Sequence, residues 1–286
     1  MADAIELLVA PRVRPVGSGE VRRLLPFRKR RMVGPFVFAD VMGPEEFTPT
    51  PGSGVDAHPH IGLSTVTYLL TGRSVHRDST GAVQTIEPGA VNWMTAGEGV
   101  THTERPRPDD LGTPTESFGL QTWVALPDGA EDVAPSFEHC PAAEIPTDSR
   151  TGATVRLAVG TGFGLAAQVV GSSPLVLAEL RLDGGSLRVP ADHSERAIIS
   201  MSGDLRVGGT PLAPAHLAVL EPGSRPELSG TGVAMLLGGE PVGPRNIWWN
   251  FVHSDPEVID AAKAWWTAQE FPVVPGDHEP WIPLPS

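Results

Sequence analysis

Two triplets in this sequence place metal-binding residue types at alternate positions: HPH at residues 58–60 and HTE at residues 102–104. In a β-strand, side chains at positions i and i+2 point to the same face, so each triplet would present two ligand atoms together. Three imidazoles and one carboxylate suit a divalent transition metal, and four protein ligands on an octahedral ion leave two positions open. The spacing therefore predicts an open metal site whose ligands are His58, His60, His102 and Glu104.

The segments around these triplets have the composition of short antiparallel strands. Residues 64–70, STVTYLL, are rich in β-branched and aromatic side chains, and turn residues follow at Gly72 and at Pro88-Gly89. Apolar runs separated by turns recur through residues 174–239, which is typical of β-sheet proteins. The pattern predicts that the two triplets lie on neighbouring strands.

The segment with clear helical periodicity lies near the end of the chain. Asp255 is a suitable N-cap, Pro256 suits a first helical turn, and apolar residues recur at helical spacing as far as Trp266. Phe271-Pro272 then ends the pattern. The sequence predicts an all-β fold closed by one C-terminal helix.

An internal repeat indicates two tandem copies of one β-barrel unit. A histidine cluster followed by YLLTG and IEPG in the first half is echoed by His193, ISMSG and LEPG in the second. Between them, residues 127–150 are rich in proline and acidic residues and lack a period, as a connection would. We therefore predict a metal-binding barrel over residues 1–135 and a second barrel with the terminal helix over residues 136–286.

The second copy lacks a complete set of ligands. His193 and Glu195 occupy the place of the first triplet, but after LEPG no histidine occurs until His253. A site that needs three or four converging ligands cannot be assembled from these remnants. We expect the C-terminal barrel to be metal-free.

Composition excludes several classes of function. The 286 residues carry 21 Lys and Arg against 34 Asp and Glu, a net charge of −13 that disfavours direct contact with nucleic acid. Cys140 is the only cysteine, so neither an intramolecular disulfide nor a thiolate zinc cluster can form. No apolar run is long enough to span a membrane. We expect a soluble, cytoplasmic protein.

Two further features contain residue types that can do chemistry. His76 and Asp78 are expected to hydrogen bond across a hairpin, and the alternative is that His76 tunes a nearby metal. His139 and Cys140 are adjacent, but no orienting acid or oxyanion donor is evident beside them. We interpret the His139-Cys140 pair as incidental.

The stretch HPHIGLSTVTYLLTG, followed by VHRDSTGAVQTIEPGAVNWMTAGEGVTHTERP, resembles the signature of the pirin family of the cupin superfamily. RRMVGPFVFADVMGP upstream and RNIWWNFVHSDPEVIDAAKAWW near the C-terminus are also similar to that family. The resemblance implies two tandem cupin barrels with Fe(II) in the N-terminal one, although Mn, Ni, Cu, Zn or Co remain possible. Matched residue by residue, the family's iron ligands fall on His58, His60, His102 and Glu104.

The resemblance implies two functions, between which the residues do not decide. One is an oxygen-dependent dioxygenase that cleaves flavonols, of the quercetin 2,3-dioxygenase type, in which Glu104 takes the proton of the substrate hydroxyl. The other is a metal- or redox-dependent regulatory protein that binds a protein partner, as a transcription cofactor does. The charge distribution makes the basic segment 22–31 the candidate contact for such a partner. A third possibility is a barrel that keeps its metal but has neither activity. We expect a monomer that contacts neither nucleic acid nor a membrane directly.

Overall fold

The computed structural model describes residues 4–17 and 19–285, which form mostly β-strands. The strands of the first half are β1 (Ile5–Val9), β2 (Arg12–Val16), β3 (Gly19–Leu25), β4 (Phe36–Phe47), β5 (Val55–His60), β6 (Leu63–Thr71), β7 (Ser74–Asp78), β8 (Val83–Ile86), β9 (Val91–Thr95), β10 (Val100–Arg105), β11 (Thr115–Ala125) and β12 (Ser136–Cys140). Short 3₁₀ turns lie at Pro108–Asp110 and Ala142–Glu144.

The second half continues the same pattern and ends in a helix. Its strands are β13 (Thr147–Arg150), β14 (Ala153–Gly162), β15 (Leu165–Ala166), β16 (Leu175–Arg188), β17 (Glu195–Val207), β18 (Thr210–Leu212), β19 (Leu217–Leu220), β20 (Glu227–Gly239), β21 (Asn246–Trp248) and β22 (Phe251–His253). Helix α1 spans Pro256–Thr267. The prediction of an all-β fold with one C-terminal helix is confirmed over the described residues.

Within residues 4–17 and 19–285, the strands assemble into four sheets. The largest has the order β1-β19-β17-β20-β16-β14-β13, with β15 beside β14 and β18 beside β17. A second sheet has the order β12-β9-β6-β11-β4-β3-β2, and β21 pairs with β22. The sheet that concerns function is four-stranded, in the order β5-β10-β7-β8, and in it β10 runs antiparallel to both β5 and β7.

The chain packs as two compact units, each assembled from separate segments. The first comprises Met1–Val13, Arg22–Val41 and Ala143–Pro241, and the second Arg14–Val21, Met42–Ala142 and Val242–Ser286. The core of the first unit is aliphatic, with members such as Val155, Leu180, Ile198 and Leu236 almost completely buried. Alternation along long antiparallel strands directs these side chains to one side of each strand.

Helix α1 forms where its local signals predict. Asp255 caps it by accepting a hydrogen bond from the backbone N–H of Glu257 at 2.8 Å, and Pro256 occupies the first turn. Its buried face, Ile259, Ala262 and Trp266, packs on Ile61, Phe251 and Phe271. In the described part of the chain, no helix has both the length and the apolar character needed to cross a membrane.

The terminal helix packs within the unit that contains residues 42–142, whereas the sequence places it in a domain of residues 136–286. The reason is a long-range contact, because the apolar face of α1 buries Trp266 in one cluster with Ile61.

Residues 127–150, which the sequence predicts to be irregular, contain the strands β12 and β13. Both strands are too short to show a period. The division into barrels at residues 135 and 136 stays a prediction.

Candidate metal centre

Strands β5 and β10 bring the two triplets together, as predicted. The antiparallel register places His102 opposite His58 and Val100 opposite His60. The imidazole of His102 lies 4.2 Å from that of His58 and 5.1 Å from that of His60, measured between ring centroids. One ligand nitrogen from each histidine lies within 4.8 Å of the other two. This arrangement can hold a single metal ion.

The three imidazoles are buried, and burial determines their protonation. Burial lowers the pKa of His58 to about 4, because a charged imidazolium loses its hydration there. The pKa values of His60 and His102 fall well below the ordinary value for the same reason, and the neighbouring imidazoles lower them further. All three rings are therefore neutral at pH 7, the form in which imidazole binds a metal.

Hydrogen bonds leave the Nε2 atoms available for a metal. His58 donates through Nδ1 to the main-chain oxygen of Asp56 at 2.8 Å, and His60 donates through Nδ1 to that of Asn250 at 3.1 Å. A carbonyl oxygen can only accept, so in each ring the lone pair is on Nε2. The Nε2 atom of His102 is buried and has no hydrogen-bond partner among the described residues. A metal ion would satisfy this buried atom, so the residues fit the implied metal.

Glu104 lies two positions beyond His102 on the same strand, outside the group of converging nitrogens. The pairing of β10 with β5 shifts register between these two residues, and Glu104 lies opposite Val55 on β5 and opposite His76 on β7. It is half-buried by surface area. Burial raises the pKa of its carboxyl, and the nearby His76 opposes that effect. Its role as a ligand stays a prediction.

Strand β7 places both His76 and Asp78 beside the site. Their predicted hydrogen bond forms, but it joins alternate residues of this one strand and does not cross a hairpin. His76 Nε2 lies 2.9 Å from Asp78 Oδ2, and His76 Nδ1 lies 3.4 Å from Nδ1 of His102. Burial alone would raise the pKa of Asp78, but hydrogen bonds from His76 and Thr80 outweigh it and lower that pKa. The alternative for His76, that it tunes a nearby metal, stays a prediction, and its ring lies next to that of His102.

Three residues that contact the site were not identified from the sequence. Trp123 on β11 packs edge-on against His60 at 5.1 Å, Phe137 on β12 stacks on His76 at 4.5 Å, and Asn250 supplies the carbonyl that His60 contacts. All three come from strands or loops distant in the sequence. The sequence around Trp123 has the β-branched and aromatic composition of a strand. That signal predicts the strand but not its contact with the histidines.

The other sequence candidates lie elsewhere. His193 Nε2 contacts the main-chain oxygen of Thr161 at 2.8 Å, and Glu195 accepts a hydrogen bond from the backbone N–H of Gly34 at 2.7 Å. The absence of a metal from the C-terminal barrel stays a prediction. His139 lies on β12 and contacts the amide oxygen of Asn92 at 2.8 Å, while Cys140 is buried.

Comparison with known proteins identifies the family. The Pirin profile matches residues 18–124, and the profile of the Pirin C-terminal cupin domain matches residues 177–272. A pirin-like protein from Caulobacter vibrioides is 44% identical over 289 residues, covering 99% of this chain and 100% of the relative. Pirin from Homo sapiens is 31% identical over 255 residues, covering 83% of each.

A solved structure of quercetin 2,3-dioxygenase from Acinetobacter baumannii is 32% identical, with a TM-score of 0.92, and the match covers 100% of this chain and 96% of that one. The predicted tandem cupin architecture is thereby confirmed. The histidine triad on β5 and β10 lies in the part of the chain that matches the Pirin profile. The chain therefore belongs to the pirin family.

Proposed function

We propose that this protein is a metal-dependent dioxygenase that cleaves a flavonol in the presence of oxygen. The observation that carries the proposal is the convergence of three buried, neutral histidines, His58, His60 and His102, whose Nδ1 atoms are engaged elsewhere. Three such nitrogens with Glu104 nearby form the ligand set of an open metal site. The similarity to the Acinetobacter quercetin 2,3-dioxygenase supports the choice of substrate class.

Imidazole and carboxylate ligands suit Fe(II), which the family resemblance favours, and also Mn, Ni, Cu, Zn or Co. When bound, the metal would polarise a substrate hydroxyl as a Lewis acid and supply the redox chemistry that oxygen requires. Trp123 and the buried walls of the barrel around the histidines exclude water from one side of the site.

Glu104 is proposed both to complete the ligand set and to accept the proton of the substrate hydroxyl. It shares a strand face with His102, since the two are separated by one residue. The same side chain could therefore reach both the metal and its substrate.

For the test, the protein is loaded with Fe(II) under anaerobic conditions and is then given quercetin and oxygen. The measured quantities are oxygen uptake and the release of carbon monoxide from quercetin. Replacing Glu104 with Gln keeps the shape and an oxygen donor but removes the basic carboxylate, so turnover should fall by roughly 10²–10⁴. Metal content should fall much less. Glu116→Gln, the same change at an exposed position on β11, is the matched control and should leave turnover unchanged.

The proposal fails for this substrate if fully loaded wild-type protein releases no carbon monoxide. If Glu104→Gln retains both metal and wild-type turnover, Glu104 is not the base.

A second candidate, metal-dependent binding of a protein partner, is favoured by the surface of the basic segment 22–31. Arg23 pairs with Asp40 at 2.8 Å and Arg30 pairs with Glu6 and Glu195, but Arg28, Lys29 and Arg31 are exposed. Such a patch on an acidic chain suits an acidic partner surface. Full metal loading without turnover would move this candidate ahead.

A further inference from the structure

We propose that Asp78 and His76 are positioning residues that hold His102 in the tautomer whose Nε2 atom is free to bind a metal. The inference rests on the metal-binding role of His102 in the proposed function, and does not depend on the substrate. The three groups form a buried chain in which Asp78 is 0%, His102 2% and His76 3% exposed.

The chain is continuous through its hydrogen-bonding atoms. Asp78 Oδ2 lies 2.9 Å from His76 Nε2, and His76 Nδ1 lies 3.4 Å from His102 Nδ1. The pairing of β10 with β7 sets these positions, since His102 lies opposite Asp78 and Glu104 lies opposite His76. Phe137 stacks on the His76 ring at an interplanar angle of 21° and restricts its rotation.

The direction of the hydrogen bonds follows from the acceptor at one end. The Oδ1 atom of Asp78 accepts from the backbone N–H of Thr80 at 2.9 Å, from its hydroxyl at 2.6 Å and from the N–H of Ala82 at 3.2 Å. With Oδ1 occupied by donors, Oδ2 accepts from His76 Nε2. A neutral imidazole carries one N–H, so Nδ1 of His76 must accept. His102 Nδ1 is then the donor, and its Nε2 keeps a lone pair.

His102 differs in this respect from the other two histidines. His58 and His60 donate to the main-chain carbonyls of Asp56 and Asn250. A substitution at Asp56 or Asn250 changes the side chain but keeps the carbonyl. The tautomer of His102 depends instead on two side chains. A single amide in place of the carboxylate should therefore reverse it, because an amide can donate where a carboxylate can only accept.

The test replaces Asp78 with Asn. The amide oxygen can still accept from Thr80 and Ala82, while its NH₂ group donates to His76 Nε2. His76 Nδ1 must then donate to His102 Nδ1, which moves the His102 proton onto Nε2 and blocks the ligand atom. Removal of such supporting groups typically costs 10- to 100-fold in metal affinity, and we expect a loss in that range for Zn²⁺ measured by chelator competition.

A second readout does not require metal. In metal-free protein at pH 8, ¹⁵N-detected NMR of the histidine rings should show the proton on Nδ1 of His102 and on Nε2 of His76. Asp78→Asn should reverse both assignments and leave those of His58 and His60 unchanged. Asp148→Asn is the matched control, because it makes the same change on β13, where the carboxylate pairs with Arg150. It should keep wild-type tautomers and Zn²⁺ affinity.

Wild-type protein with the His102 proton on Nε2 would overturn the inference, whatever the variants do. The inference would also be overturned if Asp78→Asn reversed the His102 tautomer but kept the Zn²⁺ affinity of the wild type. If Asp78→Asn fails to fold, His76→Phe retains the stacking on Phe137 and should populate both His102 tautomers with intermediate affinity; a single, unchanged tautomer would refute the role of His76. Wild-type protein that shows the expected tautomers but binds no Zn²⁺ contradicts the proposed metal site and not the chain.

Discussion

Asp277 holds the C-terminal segment against strand β10, on the face opposite the side chain of His102. Its carboxylate accepts a hydrogen bond from Thr103 Oγ1 at 2.8 Å and pairs with Arg105 Nη2 at 3.1 Å. Thr103 lies between His102 and Glu104, so its side chain faces away from the site. Asp277→Asn should therefore change stability without removing the metal ligands.

The expected magnitude follows from what the substitution leaves behind. A hydrogen bond to a charged group contributes about 1.5–3 kcal/mol. The Asp277 side chain is 17% exposed, Arg105 retains Asp56 at 2.6 Å, and the amide oxygen can still accept one bond. We expect a loss of about 2 kcal/mol at pH 7, which corresponds to roughly 4–8 °C in Tm for a chain of this size.

The loss should depend on pH in one direction. Burial alone would raise the pKa of Asp277, but hydrogen bonds from Arg105 and Thr103 outweigh it, so the net pKa is lowered. A carboxyl whose folded-state pKa is lowered contributes stability above its unfolded pKa and loses it as the pH falls through the folded value. The difference between wild type and Asp277→Asn should be complete at pH 7 and shrink below about pH 4.

Urea unfolding at pH 7, 5 and 3.5 measures this difference. Asp148→Asn is the matched control, because Asp148 pairs with an Arg150 side chain that is 49% exposed and such surface pairs contribute about 0.2–1 kcal/mol. Equal losses in the two variants at pH 7, or a loss at Asp277 that persists unchanged at pH 3.5, would falsify the reasoning. Elemental analysis should find the same metal content in Asp277→Asn as in wild type.

Three further changes test the assignment of the metal site and the packing of the helix. His58→Ala combined with His102→Ala should reduce one equivalent of bound metal to near zero by elemental analysis, since two of three converging nitrogens are lost; unchanged content would show that the site is elsewhere. His193→Ala should not alter metal content, and the loss of a second equivalent would contradict the metal-free second barrel. Trp266→Ala should lower the free energy of unfolding in urea by about 3–5 kcal/mol, because the side chain is buried in the aromatic cluster of α1. A loss below about 1 kcal/mol would contradict this expectation, since it would mean that neighbouring side chains fill the cavity left by Trp266.

Local patterns in the sequence determined the features that depend on neighbouring residues. The alternation in HPH and HTE predicted that each triplet presents two side chains to one face, and the register of β5 with β10 confirms that His58 and His102 meet. Asp255 and the apolar spacing after it predicted α1, which begins at the next residue. Strand and helix periods of this kind are visible in sequence because the backbone itself repeats every two or 3.6 residues.

Features that join distant segments were decided only by the tertiary structure. The carbonyl that engages His60 belongs to Asn250, 190 residues away, and the contact of His102 with His76 depends on β7 lying beside β10 rather than on spacing. The register shift between His102 and Glu104 likewise arises from pairing with β5. Such contacts follow from which strands become neighbours when the whole core packs, and no local period records that choice.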